Sequence, residues 1–396
     1  MHILGEEEVD AIRRVIESGR LYRYHEGHAS ESTAFEREWS EKICCQHTIL
    51  MSSGTAALIC GLIGMGIGPG DEVIVPTYTF MATPLAVLAV GAVPVIAEID
   101  ETLTLDMKDA ERKITSATKA IIPVHMCGFH CDMDAVMRVA AVHGLMVLED
   151  ACQAAGGSYK GIRLGAIGDA GAFSFNEFKI ITCGEGGALV TSNKEIHDQA
   201  MIYHDGGCAL WDHDLDLKAP LFAGVNLRIH EISSAILRVQ LSRLETILTS
   251  LRKEKLAFKE QMAGDKAFVF NPILDAEGDC ATNLALLFET ADMARTFFEN
   301  LKESRIKVRA PLNSGRHVYV NWEPILEQRG ANHPGRDAFR HARKFKYTSD
   351  MCPRTLDILG RTILIETSAT RTEEELGLCI KALKKASAKA LCLAPA

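Results

Sequence analysis

The sequence has no block of lysines or arginines, no long uninterrupted apolar run, no internal repeat, and no low-complexity tract apart from an alanine- and lysine-rich tail. Each absence removes a class of function. Without a basic block, and with a net charge of −9, there is no electrostatic case for nucleic acid or an anionic membrane surface. Without an apolar span long enough to cross a bilayer, no membrane segment is expected. The chain opens on acidic residues (Gly5-Glu-Glu-Glu-Val-Asp10) and not on a basic segment followed by an apolar one, so a cytoplasmic protein is expected. Small-molecule chemistry is left as the default.

Cysteine is not scarce, but its 12 copies are scattered through apolar stretches of a chain of 396 residues, which fits buried thiols better than a disulfide framework. His125, Cys127 and Cys131 in Val-His-Met-Cys-Gly-Phe-His-Cys look like metal ligands. No second Cys/His pair accompanies them at finger or ribbon spacing, and they follow an apolar strand as a strand-end loop does, so no metal is expected.

What is present is a long alternation of short apolar runs with helical segments. Strands are predicted near Thr48–Met51, Glu72–Val75, Val93–Ala97, Ala120–Val124, Met146–Glu149, Gly171–Phe175 and Ala188–Thr191. Helices are predicted over Glu6–Ser18, Ser32–Cys44 and Asp132–His143. This is the pattern of an α/β protein with a mostly parallel sheet buried on both faces. A long amphipathic helix from about Ile229 to Ala263 carries apolar residues at Ile232, Ile236, Val239, Leu244, Leu248 and Leu251, and is expected to bridge two domains or pack on a partner chain. After it the pattern changes to a strand at Asn283–Phe288, a helix over Asp292–Lys302, a polar segment rich in aromatics and arginine, a strand at Thr362–Ile365 and a final helix from Thr372 to about Ser387. Two domains follow, a large one over 1–245 and a smaller α+β one over 246–396. Gly64-Met-Gly-Ile-Gly-Pro-Gly70 imitates a dinucleotide fingerprint, but it follows a helix and precedes a strand, the reverse order, and reads as a helix stop and turn.

In a parallel sheet the ligand crevice lies beyond the carboxyl ends of the strands. Four motifs fall there. Ser52-Ser53-Gly54-Thr55 joins a strand to a helix start, where amides at Gly54 and Thr55 and the Thr55 hydroxyl can hold a phosphate, although a plain N-cap reads the same way. Pro76-Thr-Tyr-Thr-Phe80 offers an aromatic face, with core packing as the other reading. Asp150 follows a strand and suits either a salt bridge or a protonated ring nitrogen. Lys179, between Phe178 and Ile180, sits where burial is expected to lower its pKa and free its amine for Schiff-base chemistry, a surface lysine being the alternative. Asp150 and Lys179 are 179 − 150 = 29 residues apart, room for a hairpin and a strand. A phosphate cradle, an aromatic platform, a carboxylate and a lysine are together what pyridoxal phosphate requires.

The motifs Ser53-Gly-Thr-Ala-Ala, Gly70-Asp-Glu-Val-Ile-Val-Pro-Thr-Tyr-Thr-Phe, Glu149-Asp-Ala-Cys-Gln-Ala and Ser174-Phe-Asn-Glu-Phe-Lys-Ile-Ile-Thr-Cys-Gly-Glu-Gly-Gly resemble the DegT/DnrJ/StrS sugar aminotransferases, fold-type I enzymes, over nearly the whole chain. The resemblance implies pyridoxal 5'-phosphate as cofactor, Lys179 as the residue that forms its Schiff base, Asp150 on the pyridine nitrogen and Phe80 stacked on the ring. It also implies Gln153 beside the cofactor, and Gly54, Thr55 and Ser174 on the phosphate. Asn226, in Gly224-Val-Asn-Leu-Arg-Ile-His-Glu231, matches the family asparagine that reaches the neighbouring subunit's phosphate, which implies a homodimer with shared active sites. L-glutamate as amino donor and a keto sugar as acceptor follow from the same resemblance.

Within the family, Ile96-Ala-Glu-Ile-Asp-Glu-Thr-Leu103, Val124-His-Met-Cys-Gly128, Gln153-Ala-Ala-Gly-Gly-Ser-Tyr-Lys-Gly161 and the Arg23-Tyr24 loop look most like transaminases that make 8-amino-3,8-dideoxy-manno-octulosonate, an amino relative of the sugar acid Kdo. Arg23, Arg228, Arg309, Arg316 and His317 are candidates to meet a sugar-acid carboxylate, or are solvated surface. The rival readings are aminotransfer to a nucleotide-linked sugar or cyclitol ketone, a dehydratase, which in this family carries histidine at the lysine position, and a non-catalytic regulator.

Overall fold

The computed structural model of the chain describes residues 3–23, 30–207, 217–301, 304, 306–340 and 345–393. Of the Arg23-Tyr24 loop, Tyr24 lies outside them, as does Lys302 at the end of a predicted helix.

Buried, nearly continuous apolar runs build the large sheet from β1 (His47–Met51), β2 (Glu72–Pro76), β3 (Val93–Ala97), β4 (Thr118–Ile121) and β5 (Met146–Asp150). A hairpin of β6 (Ser158–Tyr159) and β7 (Ile162–Arg163) precedes its last two strands, β8 (Ala170–Ser174) and β9 (Gly187–Thr191). The order is β1-β9-β8-β5-β4-β2-β3, and β9 alone runs against the rest. Helices α1 (Glu6–Ser18), α2 (Glu31–Ile43), α3 (Gly54–Gly64), α4 (Ala82–Ala89), α5 (Met107–Arg112), α6 (Met133–His143) and α7 (Lys194–His204) accompany it. Alternation along the strands separates the core into two layers. Leu148, Ala172 and Leu189 pack on one face, while Val147, Phe173 and Ala188 pack on the other, as side chains with a period of two must in a doubly covered sheet. One predicted strand moves. The run Ala120–Val124 is a continuous strand only as Thr118–Ile121, because Pro123 has no N–H to give the ladder; Ile122 still donates to the Ile74 carbonyl at 2.8 Å, and Val124 keeps an isolated parallel bridge to Asp150.

Helix α8 (Glu231–Gln261) is the long helix of the sequence. Its Leu244, Leu248 and Leu251 are fully buried in the core of the large sheet, and Phe258, near its end, is fully buried in the core of the small one. It therefore spans both, and the expected division at 245/246 falls inside it. Ile232 and Val239 are only partly buried and pack on Ala11 and Val15 of α1. The small sheet is antiparallel, with β10 (Phe268–Phe270), β11 (Asn283–Phe288), β12 (Val308–Arg309) and β13 (Thr362–Glu366) in the order β10-β11-β13-β12. Helix α9 (Ala291–Glu299) accompanies it, the short α10 (Glu323–Leu326) buries Ile325 in the core that includes the large sheet, and α11 (Pro353–Gly360) and α12 (Glu373–Leu391) again accompany the small one. Among the described residues no helix is long and apolar enough to cross a membrane.

Candidate active site

The carboxyl edge of the large sheet carries two clusters. The first is built on the turn from β1 into α3. Ser53 is the N-cap, its hydroxyl accepting from the Ala56 amide at 3.1 Å, which leaves Gly54 and Thr55 in the first turn, where helix amides have no partner within the helix. The backbone approach is close. A Cβ on Gly54 would stand 2.7 Å from Ser174 Cβ and 2.9 Å from Cys152 Sγ, and one on Gly187 of β9 would stand 2.3 Å from the Ser53 carbonyl. Only glycine fits at either position, so the helix start lies directly against the end of β8. Asp150, at the end of β5 and 5% exposed, belongs to the same cluster. Its Oδ2 accepts from the Thr83 hydroxyl at 2.7 Å and its Oδ1 from the Cys152 amide at 3.1 Å. Two donors from different elements fix the plane of this carboxylate and leave lone pairs for a third partner.

The second cluster surrounds a cavity of about 760 Å³ that Phe80, Gln153 and Lys179 share with Cys127, Thr282, Asn283, Lys307, Arg309, His317 and Glu366. Cys152 and Gln153, which follow Asp150, join the two clusters. Cys152 touches the Gly54–Ser174 contact, and Gln153 Oε1 accepts from the Cys127 amide at 3.1 Å. Lys179 is half-buried in the turn after β8, where its own amide donates to the Asn176 carbonyl at 3.0 Å. The expected enclosure by both neighbours holds for Ile180 alone. Phe178 is 77% exposed, because the turn, held by its amide to Asn176 Oδ1 at 3.0 Å, carries its side chain outward. Phe80 is 44% exposed with its ring 5.2 Å from that of His317. That pair is fixed by backbone bonds from Thr79 to His317 and from Met81 to Arg316, both 3.0 Å.

Electrostatics separates the nucleophile from its neighbours. Burial, and then the Asp150 charge, hold the Cys152 thiol well above its ordinary pKa, and burial raises that of Cys127 although Arg309 and Lys179 oppose it. Both thiols are therefore protonated and poor nucleophiles. His317 is pushed down, by burial first and then by the charges of Lys179 and Arg309, so its imidazole is neutral, with Nδ1–H donating to the Ser314 carbonyl at 3.1 Å. Two amines remain in the cavity, Lys307, which Glu366 meets at 3.5 Å, and Lys179, which stands on the side of Phe80 and Gln153.

The structure sorts the basic candidates. Arg309 and His317 line the cavity. Arg23 is buried, bonded to the Leu50 carbonyl at 2.6 Å and to Glu36, and Arg228 is paired with Asp205. Arg316 is exposed outside the cavity lining. Asn226 is also exposed and away from that lining, its Oδ1 accepting from the Arg228 amide at 3.1 Å. His125 and Cys131 are committed to protein partners. Cys131's amide donates to His125 Nδ1, His125 Nε2 bonds Glu149 at 3.0 Å, and Cys131 Sγ donates to the Val124 carbonyl. Sequence reasoning missed Thr83, whose only signal was its place in the first turn of the helix after Phe80. It also missed Asn283, Lys307 and Glu366, which stand at ends of small-sheet strands and carry no local motif.

The residues fit pyridoxal phosphate. First-turn amides of α3 with the Thr55 and Ser174 hydroxyls suit a phosphate, Asp150 a protonated ring nitrogen, Phe80 a planar ring and Lys179 an aldehyde carbon. Fold and site together define a fold-type I enzyme of this cofactor class. A match to the DegT/DnrJ/EryC1/StrS aminotransferase family covers residues 2–383, and the chain belongs to that family of pyridoxal-phosphate-dependent aminotransferases. The spore coat polysaccharide biosynthesis protein SpsC of Bacillus subtilis is 36% identical over 296 residues, 72% of this chain and 74% of SpsC. The dTDP-3-amino-3,4,6-trideoxy-alpha-D-glucose transaminase of Streptomyces venezuelae is 41% identical over 239 residues, 60% of either chain, so this chain matches less than two thirds of its length. The crystal structure of 3-amino-5-hydroxybenzoic acid synthase superposes with a TM-score of 0.82 at 28% identity, covering 98% of this chain and 97% of that one.

Proposed function

We propose that the chain moves an amino group from L-glutamate to a keto sugar, giving 2-oxoglutarate and an amino sugar, with an 8-oxo sugar acid of the Kdo type as acceptor. The observation that carries this reading is the amine of Lys179, the lysine of the turn after β8, in a cavity joined through Cys152 and Gln153 to the Asp150 carboxylate and the α3 start. When bound, pyridoxal phosphate supplies the electron sink and carries the amino group between the two half-reactions. The chain's residues do the rest. Lys179 Nζ takes the α-proton of the donor as general base and returns a proton as general acid. Asp150, oriented by Thr83 and the Cys152 amide, holds a proton on the ring nitrogen. Gly54, Thr55 and Ser174 anchor the phosphate, Phe80 covers the ring, and Gln153 stands beside it.

We also propose a homodimer in which Asn226 completes the neighbour's phosphate site. Its support is the exposure of Asn226 together with that of Leu221, Val225 and Phe178. A nucleotide-linked keto sugar is the second reading of the acceptor, favoured by what the Streptomyces relative's name says it acts on. Incubation of the loaded enzyme and glutamate with an 8-oxo Kdo-type acid and with dTDP-linked keto sugars decides between them. Amination of the acid alone is the expected result, and amination of the nucleotide sugars alone replaces it with the second reading. A Lys179→Ala variant is expected to lose at least about three decades of turnover, as loss of a combined nucleophile and general base does.

A further inference from the structure

We infer that Arg309 is the carboxylate anchor of the cavity, the residue through which it selects acidic substrates. This deepens the proposed aminotransfer and rests on it. The charged groups facing the cavity are Lys179, Lys307 and Arg309 against Glu177 and Glu366. Glu366 is met by Lys307 at 3.5 Å, and Lys179 is committed to the cofactor carbonyl. Among the described residues Arg309 has no carboxylate partner. Its guanidinium bonds a neutral group, donating from Nη2 to Asn283 Oδ1 at 2.8 Å.

That contact is a built one. Asn283 is 3% exposed at the start of β11, and its amide nitrogen donates to the Cys127 carbonyl at 3.3 Å and to Thr282 Oγ1 at 3.1 Å. Thr282 in turn donates to the same carbonyl at 2.6 Å. With its NH2 group spent, Asn283 can offer Arg309 only its oxygen, so the amide cannot flip and the guanidinium is held from one side. Strand pairing of Arg309 with Leu364 fixes the backbone behind it. Five N–H donors in a planar fork, with one of them satisfied by a neutral amide, leave the others for an anion. The charge reaches the reaction centre as well, because it depresses the pKa of His317 and opposes the rise of Cys127. A carboxylate is the planar, bidentate match to such a fork. In the proposed reaction it has two sources, the amino donor and the acid group of the sugar, which occupy the cavity in turn.

The test uses the pyridoxal-phosphate-loaded enzyme with Arg309→Gln, Arg309→Lys and Lys307→Gln. Calorimetric binding of glutarate, a dicarboxylate that cannot react, is expected to weaken about ten- to a hundred-fold in Arg309→Gln. Partial recovery is expected in Arg309→Lys, and a change below about threefold in Lys307→Gln, whose charge Glu366 already meets. Single-turnover kinetics then assign the source. Weakening of the glutamate half-reaction alone places the donor's carboxylate on Arg309, and weakening of the half-reaction with the Kdo-type acid as well, with a neutral keto sugar spared, places both there. Either result supports the anchor. Equal glutarate affinity in wild type and Arg309→Gln, or the larger loss in Lys307→Gln, overturns it. If wild-type enzyme is not converted by glutamate at all, the proposed function falls, and glutarate binding still decides Arg309.

Discussion

Asp150 is oriented by a hydroxyl from helix α4 and an amide from its own loop, and the hydroxyl is the more informative of the two because it can be removed without changing shape. In Thr83→Val the carboxylate loses a bond to a charged group, worth about 1.5–3 kcal/mol where it is fully felt. The expected outcome is a glutamate half-reaction slowed about tenfold with the cofactor still bound, and stopped-flow absorbance checks it. An unchanged rate would mean that Asp150 is held adequately by the Cys152 amide alone. His204 supports a prediction of a different kind. It is buried, donates from Nδ1 to the Met201 carbonyl at 2.8 Å, and has its pKa pushed from 6.5 down to about 3, by burial first and then by the Arg23 charge. The unfolded chain takes up this proton near pH 6.5 and the folded one does not, so the stability gained by keeping it neutral is full above pH 6.5. It is lost as the pH falls from about 6.5 toward 3. A His204→Gln variant should show a shallower fall of unfolding midpoint over that window, and a parallel fall would contradict the assignment. The positions of Lys179, Asp150 and Phe80 were legible in the sequence because each lies within a few residues of a strand end, and Gln153 came from the family resemblance alone. Thr83 and Asn283 were not, since they reach the site only through tertiary packing.

At the scale of elements, the α3 start depends on two glycines that accept no side chain. Gly187→Ala would drive a Cβ to 2.3 Å from the Ser53 carbonyl and 2.5 Å from the Gly54 amide, so either β9 or the helix start must move. Overpacking of this kind costs about 1–3 kcal/mol. The expected result is a lower unfolding midpoint together with weaker pyridoxal phosphate binding in equilibrium titration, and a variant that loses stability but keeps full cofactor affinity would separate the strand from the cradle. The same elements show how far pattern carries. Strands of the large sheet appear within a residue or two of prediction because both faces are buried and the runs are continuous, and β4 departs only where Pro123 interrupts pairing. Of the small sheet's contribution to the cavity the sequence offered only Arg309, as one basic candidate among five, and no strand to carry it. Val308–Arg309 is a strand of two residues, too short to register as one, yet it carries Arg309 to the cavity wall.

For the whole molecule, α8 makes the cores of the two sheets parts of one piece, and the cavity draws its walls from both. A single chain leaves Asn226, Val225 and Phe178 exposed, and the proposed dimer gives them a use. Light scattering on the eluting protein is expected to report twice the mass of one chain, with Asn226→Ala weakening cofactor affinity without changing that mass. A monomer that binds pyridoxal phosphate at full strength would contradict shared sites. The central claim is that Lys179 carries the cofactor and exchanges it with glutamate. Visible absorption of the loaded protein, followed through addition of glutamate and, in a parallel sample, through borohydride reduction and peptide mapping, tests this most directly. A cofactor band that glutamate bleaches, with borohydride fixing the label on the peptide that contains Lys179, is the predicted result. A band that glutamate leaves intact, or a label found elsewhere in the chain, would contradict it.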